Sequence, residues 1–326
     1  MADYGVSEST LAAILDGIEE KKRQWLTDRG VAVDDFDWLL KGGIQYLMRF
    51  FEWTQVRNID AEELETTWQA LDNEPVEEIR ALISNGANDT EADKIGATTM
   101  NWAASHGNAE LVELLLGKGA DVTAGDELGR TALHWAASYD NIGVMKLLLD
   151  RGANMTAVST DGKTALHDAA ASGKIKAVAL LLDLGADIAA ADEDGMTALH
   201  LAASYGKAEV VSLLLARGAD MTAVDEYGKT VLQHATAFNG RSDVVGMLLD
   251  QGTDTTIEDE YGCTALHSAA QSGKTEVVSL LLDRNADTAA VDENGKTALH
   301  VAALYGSSAV TALLLDRGAD VDAVDT

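Results

Sequence analysis

Residues 129–137 read Gly-Arg-Thr-Ala-Leu-His-Trp-Ala-Ala, and close variants of this string recur over residues 93–326. Each copy continues with an apolar helical core, such as residues 147–149, and ends in a Gly-Ala-Asp type of turn, such as residues 218–220. The glycines that open the copies are spaced 33 or 34 residues apart: Gly96, Gly129, Gly162, Gly195, Gly228, Gly262 and Gly295. Regular repetition of a short unit predicts a stack of supersecondary units in place of one globular core.

Each repeat contains the signals for a tight turn and two short helices. In residues 192–223, the turn ends at Gly195, which supplies a positive φ, and Thr197 is placed to cap the first helix. Gly206 ends that helix, and Gly218 terminates the second helix as a C-cap glycine. The residues expected to face inward are Leu199, Ala202 and Ala203, followed by Val210, Val211, Leu213, Leu214 and Leu215.

The repeated pattern resembles the ankyrin repeat, whose signature is Thr-Pro-Leu-His-x-Ala at a period of 33 residues. Seven full copies match within residues 93–326, although alanine, valine or threonine stands in the proline position. The resemblance implies an all-α fold, an α-solenoid of stacked helix-turn-helix repeats with short β-hairpin fingers. It also implies that the recurring histidines bond the backbone of neighbouring turns: His134, His167, His200, His267 and His300. Asn101 and Gln233 replace the histidine in two copies.

The recurring histidines are poor candidates for a metal site. Equivalent positions in adjacent repeats are separated by a helix-packing distance of about 8–10 Å. Zinc ligands, by contrast, must all lie within about 2.1 Å of one ion. We therefore expect no metal and, since no cofactor-binding motif is recognised, no cofactor.

The regions that flank the seven repeats depart from the pattern. Residues 60–92 look like a degenerate repeat that caps the array, and residues 1–59 form a helical segment that matches no family. That segment is either a cap on the solenoid, a pocket wall or a partner-binding helix pair. The last repeat keeps interior-type residues at 313–315. It therefore belongs to a truncated chain, frays, or buries its end in a partner, including a second copy.

Charge and composition exclude several classes of function. The net charge is −30, and residues 1–59, with ten acidic and seven basic residues, account for only −3 of it. Such a charge argues against nucleic acid and against an anionic membrane surface as partners. No apolar run approaches a membrane span, no secretory signal is apparent, and Cys263 is the only cysteine. We expect a cytoplasmic protein whose acidic turns either maintain solubility or steer a basic partner.

Aromatic residues mark the predicted binding surface. Trp102 and Trp135 directly follow the histidine position in adjacent repeats, and the resemblance implies that this position faces a concave groove. We predict a non-enzymatic protein-interaction module that binds a partner, expected to be basic, through the groove and the hairpin fingers. The predicted contacts are Trp102, Trp135, Tyr139, Asp168 and Tyr205 in the groove, with Glu226, Tyr227, Glu260 and Tyr261 on the fingers.

Two other interpretations of these aromatics stay open. They either pack locally against the N-terminal helices, or they line a small-molecule pocket between residues 1–59 and the first three repeats. For an enzyme of that kind, Asn101, His106 and Asp168 would supply a donor, a base and a carboxylate. No sequence spacing requires such a reaction, and no known catalytic motif is present.

Overall fold

A computed structural model of the chain describes residues 92–236 and 241–325. Contacts divide the chain into two compact units, residues 1–99 with 113–121 and residues 100–112 with 122–326. The predicted N-terminal segment at 1–59 and nearly all of the predicted capping repeat at 60–92 lie outside the described residues, as do residues 237–240 of the fifth repeat.

The described residues form fourteen helices and no extended sheet. In chain order they are α1 (Ala92–Ser105), α2 (Ala109–Gly117), α3 (Ala132–Ser138), α4 (Ile142–Asp150), α5 (Ala165–Ala171), α6 (Ile175–Asp183), α7 (Ala198–Ser204), α8 (Ala208–Ala216), α9 (Val231–Thr236), α10 (Ser242–Asp250), α11 (Ala265–Ser272), α12 (Thr275–Asp283), α13 (Ala298–Leu304) and α14 (Ser308–Asp316). This helix-turn-helix series confirms the predicted all-α solenoid.

Helices α3 to α14 pack in two rows. The first helix of each repeat contacts the first helix of the next, and the second helices contact one another in the same way. Each first helix also contacts the second helix of its own repeat. Every repeat therefore buries its apolar faces against its sequence neighbours, as expected for an array that grows in one dimension.

The buried core follows the predicted pattern with one adjustment. Leu199, Ala202 and Ala203 are at most 1% exposed, and Val210, Val211 and Leu214 are equally buried. Leu213 and Leu215, which were also expected in the core, are partly exposed. Successive residues of an α-helix point about 100° apart, because a turn takes 3.6 residues, so only the middle leucine of three can face the core directly.

The recurring histidines have the predicted structural role. At His200, the third of these histidines, Nδ1 accepts a hydrogen bond from the Thr197 backbone N–H. Nδ1 therefore carries no proton, and Nε2 must carry it. The Nε2–H then donates to the carbonyl of Ala223 in the next repeat at 3.1 Å. Burial lowers the pKa of His200 to about 4, with a contribution from neighbouring His234.

The same bonds recur along the stack. Nε2 donates from His134 to the Lys163 carbonyl and from His267 to the Lys296 carbonyl, at 3.0 Å in both cases. Gln233 reproduces the pattern without a ring, since its Oε1 accepts from the Thr230 N–H and its Nε2 donates to the Cys263 carbonyl. Each of these side chains therefore caps its own helix and links it to the next repeat.

The fingers form a ladder of backbone hydrogen bonds between repeats. The N–H of Glu226 donates to the carbonyl of Asp194 at 2.9 Å, and matching bonds join the other neighbouring fingers. Gly195 has φ +76°, and a Cβ added there would lie 2.7 Å from the Glu226 nitrogen. Glycine is thus required both for the turn and for the approach of the next finger.

Two non-glycine residues also adopt the left-handed conformation. Asn285 has φ +60° just after α12, at a helix end where asparagine tolerates this conformation. Asp140 has φ +62° in the turn after α3, and its Oδ1 accepts a hydrogen bond from the Ala177 N–H in the next repeat. The turn aspartate therefore contributes a link between repeats that a glycine would lack.

Candidate partner-binding site

The residue that follows the structural histidine position differs in every repeat except the first two. We call this line of positions the groove stripe: Trp102, Trp135, Asp168, Leu201, His234, Ser268 and Val301. The strings around it are nearly invariant, and the first helices that carry it lie in one row. The stripe is therefore a line of equivalent positions at which the side-chain chemistry changes from repeat to repeat.

A finger aspartate nine residues earlier lies beside the stripe. Asp126 Oδ1 accepts the N–H groups of Leu128 and Arg130, which fixes the finger turn. Its Oδ2 accepts the indole N–H of Trp135 at 3.0 Å. Asp225 and His234 repeat the arrangement, with Nε2 to Oδ2 at 2.8 Å. The sequence prediction missed this pairing, although the constant nine-residue offset was visible in the repeats.

Trp135 is held in a fixed orientation by three neighbours. Besides the bond to Asp126, the guanidinium of Arg130 lies 4.0 Å from the ring centroid, and Tyr139 stacks on it with centroids 6.4 Å apart. Arg130 is itself paired with Asp126 at 3.4 Å. Tyr139 is 55% exposed at the end of α3. Trp135 and Tyr139 thus present a preorganised aromatic surface, which reduces the entropy lost on binding.

Trp102 occupies the equivalent stripe position in the preceding repeat. Its ring stacks on the exposed His106 with centroids 4.2 Å apart, and Nδ1 of His106 lies 2.9 Å from the Trp102 carbonyl. Asn101 is buried, and its Nδ2 donates to the Arg130 carbonyl at 3.3 Å, which substitutes for the missing histidine.

The three residues of the enzyme alternative have separate environments. Asn101 links two repeats, and His106 stacks on a tryptophan. Within the described part of the chain, neither has a hydrogen bond or ion pair with Asp168, which lies two repeats further along the stripe. The geometry therefore supplies a structural role for Asn101 and a surface role for His106.

Asp168 is the one carboxylate of the stripe. It is partly buried, and its side chain makes no hydrogen bond or ion pair with any described residue. Burial raises the pKa of Asp168 to about 6, although the positive charges of Arg130 and Lys163 act in the opposite direction. Lys163 is committed to Asp161, with Nζ and Oδ2 at 2.7 Å. Asp168 is therefore a desolvated anion without a bonded counterion.

Asp192, in the next finger, also has an unpartnered carboxyl oxygen. Its Oδ1 accepts the N–H groups of Asp194 and Met196 at 3.1 and 2.9 Å. Its Oδ2 is buried and no hydrogen-bond donor reaches it, since the stripe residue beside it is Leu201. The carboxyl oxygen that tryptophan or histidine satisfies in two other repeats is left unsatisfied here.

The predicted finger residues lie together at consecutive finger tips. Glu226 and Glu260 are exposed, Tyr227 is 41% exposed and Tyr261 is 43% exposed. The Glu260 N–H donates to the Tyr227 carbonyl at 2.9 Å, which joins the two tips. A hydrogen bond to the side chain of the adjacent Glu260 favours the protonated hydroxyl of Tyr261 and raises its pKa to about 12. We call these four residues the finger rim.

Tyr205 is 51% exposed at the end of α7, in the position that Tyr139 occupies after α3. Burial raises the pKa of the half-buried Cys263 thiol to about 11, with a further contribution from Asp259, so it is protonated.

In the ranges that the structure describes, no group of histidine, cysteine and acidic side chains is arranged to hold a metal, and no helix is long and apolar enough to cross a membrane.

Comparison with known proteins gives the chain its family. The family described as Ankyrin repeats (3 copies) matches residues 38–126, 123–192, 189–259 and 237–325. No curated protein matches the chain. The crystal structure of the human ASB11 ankyrin repeat domain is similar, with 29% sequence identity, a TM-score of 0.61, and coverage of 68% of this chain and 98% of that one. The chain belongs to the ankyrin repeat family.

Proposed function

We propose that this protein binds a protein partner through the groove stripe and the finger rim. Ankyrin repeats are in general protein–protein interaction modules. The observation that carries the proposal for this chain is the fixed aromatic pair formed by Trp135 of the variable stripe and the exposed Tyr139 that stacks on it. Preorganised aromatic side chains with a polar surround are typical of residues that dominate binding energy at interfaces.

The charge of the fingers favours a basic partner. Acidic residues recur at the tips, and the finger rim contributes Glu226 and Glu260 beside two exposed tyrosines. A surface of one sign raises the rate of encounter with an oppositely charged partner. We therefore expect partner segments with positive charge to be selected.

Selection of peptides tests the proposal without a known partner. A random dodecapeptide library displayed on phage is panned against the full chain, and enriched peptides are synthesised and titrated. We expect Trp135→Ala and Tyr227→Ala each to weaken binding about tenfold or more, because hot-spot truncations cost about 2 kcal/mol. The matched control is Leu184→Ala, an apolar residue that is 51% exposed at the end of α6. Peptides that bind all four proteins equally would contradict the proposed surface.

The organisation of the rest of the chain is also part of the proposal. We propose an N-terminal helical segment at 1–59, a capping repeat at 60–92, seven repeats at 93–326 and a cytoplasmic location. The last repeat exposes Leu304 by 67% and Leu315 by 41%, and self-association would bury these residues. Sedimentation at two protein concentrations tests it: an unchanged monomer mass at both would exclude self-association.

A further inference from the structure

Two carboxylates with unpartnered oxygens, Asp168 and Asp192, lie in the third and fourth repeats. We define the Asp168 slot by Asp168 and Lys163 of one repeat and Asp192 and Leu201 of the next. Lys163 connects them electrostatically. Burial acts to lower its pKa, but its partner Asp161 and then Asp192 and Asp168 outweigh that effect and raise the pKa. Both free carboxylates are therefore close enough to the same cation to affect it.

The Asp192 oxygen is directed toward the stripe. The Oδ1 atoms of Asp126, Asp192 and Asp225 accept the same two turn N–H groups, so the three carboxylates are oriented alike. At Asp126 and Asp225 the Oδ2 atom meets the stripe side chain. By this correspondence, Oδ2 of Asp192 faces the stripe at Leu201. Asp192 is 7% exposed, and this oxygen has no partner.

The nearby cations are already engaged. Arg130 pairs with Asp126 and covers Trp135, and Lys163 pairs with Asp161. Counting Asp126, Asp161, Asp168 and Asp192 against Arg130 and Lys163, the formal charge is 2 − 4 = −2. A buried or half-buried carboxylate without a bonded cation is destabilising, so the site is electrostatically incomplete in the isolated chain.

The fold itself does not require a carboxylate at position 168. Leu201, Ser268 and Val301 occupy equivalent stripe positions in the same backbone setting, and none is charged. A residue that costs stability where neutral residues fit is a candidate for a binding role.

We propose that the Asp168 slot receives one arginine side chain of the protein partner. A guanidinium carries five N–H donors in a fixed plane and is weakly hydrated, so it can pair with Asp168 at low desolvation cost. Its positive charge also compensates the field of Asp192. This inference rests on the proposed function, because the arginine belongs to a segment that also contacts Trp135 and the finger rim.

Parallel selection tests the slot. The dodecapeptide library is panned against the full wild-type chain and against Asp168→Asn, and a peptide from the wild-type pool is then varied. We expect an arginine at a fixed position in the wild-type pool but not in the variant pool. Replacement of that arginine by citrulline, its neutral isostere, should weaken binding to the wild type at least tenfold. The same replacement should change binding to Asp168→Asn less than twofold.

The controls separate failure of the slot from failure of the proposed function. Glu209→Gln removes one exposed carboxylate from α8, away from the stripe, and should change affinity less than twofold. Peptides that depend on Trp135 but carry no fixed arginine, or bind Asp168→Asn unchanged, would overturn the slot and leave the function standing. Peptides insensitive to Trp135 would overturn both. Asp168→Leu, which copies the next repeat, gives the same test if the asparagine variant does not fold.

Discussion

One stripe residue decides the state of the finger aspartate beside it. Trp135 satisfies the second oxygen of Asp126 with an indole N–H, and His234 satisfies that of Asp225. Leu201 leaves the oxygen of Asp192 buried and unpaired. Because the surrounding strings are almost identical, these differences isolate the effect of a side chain on its local electrostatics.

Replacement of Asp168 by asparagine should stabilise the protein above neutral pH. Burial raises the pKa of Asp168 from 3.8 to about 6, so the folded chain disfavours the charged form. The full shift corresponds to about 3 kcal/mol, and solvent around a partly exposed carboxylate reduces the expected gain to about 1 kcal/mol. Urea unfolding of wild type and Asp168→Asn at pH 8 measures the difference.

The difference in stability between wild type and Asp168→Asn should depend on pH. The folded pKa lies above the unfolded one, so the folded chain takes up the proton first, and wild type gains stability relative to Asp168→Asn as the pH falls from about 6 to 4. Asp161→Asn serves as the control, because the pKa of Asp161 is shifted in the opposite direction from that of Asp168. Burial alone would raise the pKa of Asp161, but hydrogen bonds from Lys163 and Ser159 outweigh burial and lower it. An asparagine variant at 168 that is less stable than wild type at pH 8 would contradict this account.

Glutamine should replace a structural histidine better than leucine does. In His134, Nδ1 accepts the Thr131 N–H and Nε2 donates to the Lys163 carbonyl, and Gln233 already makes both bonds elsewhere. We expect His134→Leu to cost about 2–4 kcal/mol, because it leaves both backbone groups unsatisfied, and His134→Gln to cost less than about 1 kcal/mol. Chemical denaturation at pH 8 distinguishes them, and equal losses would contradict the proposed bonds.

The finger is the element that joins repeats without apolar packing. Antiparallel bridges such as Ala191 to Thr197 close it, and a backbone hydrogen bond joins each tip to the next, as from Glu226 to Asp194. The turn glycines allow this approach, because the next backbone passes where a side chain would begin. The finger ladder thus sets the spacing at which the rim tyrosines are displayed.

Gly195→Ala should therefore cost more than an alanine at another left-handed glycine. Gly195 has φ +76° with the Glu226 nitrogen 2.7 Å from an added Cβ, whereas Gly218 has φ +85° with open space around it. Strain at positive φ alone costs about 1 kcal/mol, which Gly218→Ala measures. We expect Gly195→Ala to lose about 2–3 kcal/mol, since the finger must also move. Equal unfolding midpoints for the two variants would show that the approach of the next finger is not limiting.

The sequence predicted these elements because they are repeated, and it missed what is particular to one copy. Glycine spacing located the fingers, and threonine and histidine located the helix starts, because each has one local mechanical role. The bond from Asp126 to Trp135 and the isolated state of Asp168 depend on how a finger folds over the helix that follows. Such contacts arise from packing between elements, which periodicity alone does not describe.

At the scale of the whole chain, charge acts in two opposing ways. Exposed ion pairs link second helices of consecutive repeats, as between Arg217 and Asp183 and between Arg317 and Asp283, each at 2.7 Å. Exposed pairs of this kind contribute about 0–1 kcal/mol each. The chain carries 54 acidic residues against 24 lysines and arginines, so repulsion among like charges opposes the compact state.

Salt should therefore stabilise the free protein and weaken its complex. Ions screen repulsion between carboxylates, so raising NaCl from about 20 mM to about 0.5 M should increase the free energy of unfolding by on the order of 1 kcal/mol. The same screening removes the attraction to a basic peptide, so the Kd of a peptide selected on the wild-type chain should rise over that range. Urea unfolding and titration in one buffer series, repeated with KCl, measure both responses. Stability that falls with salt would mean that the ion pairs outweigh the repulsion, and a constant Kd would mean that aromatic contacts bind the partner without help from the acidic fingers.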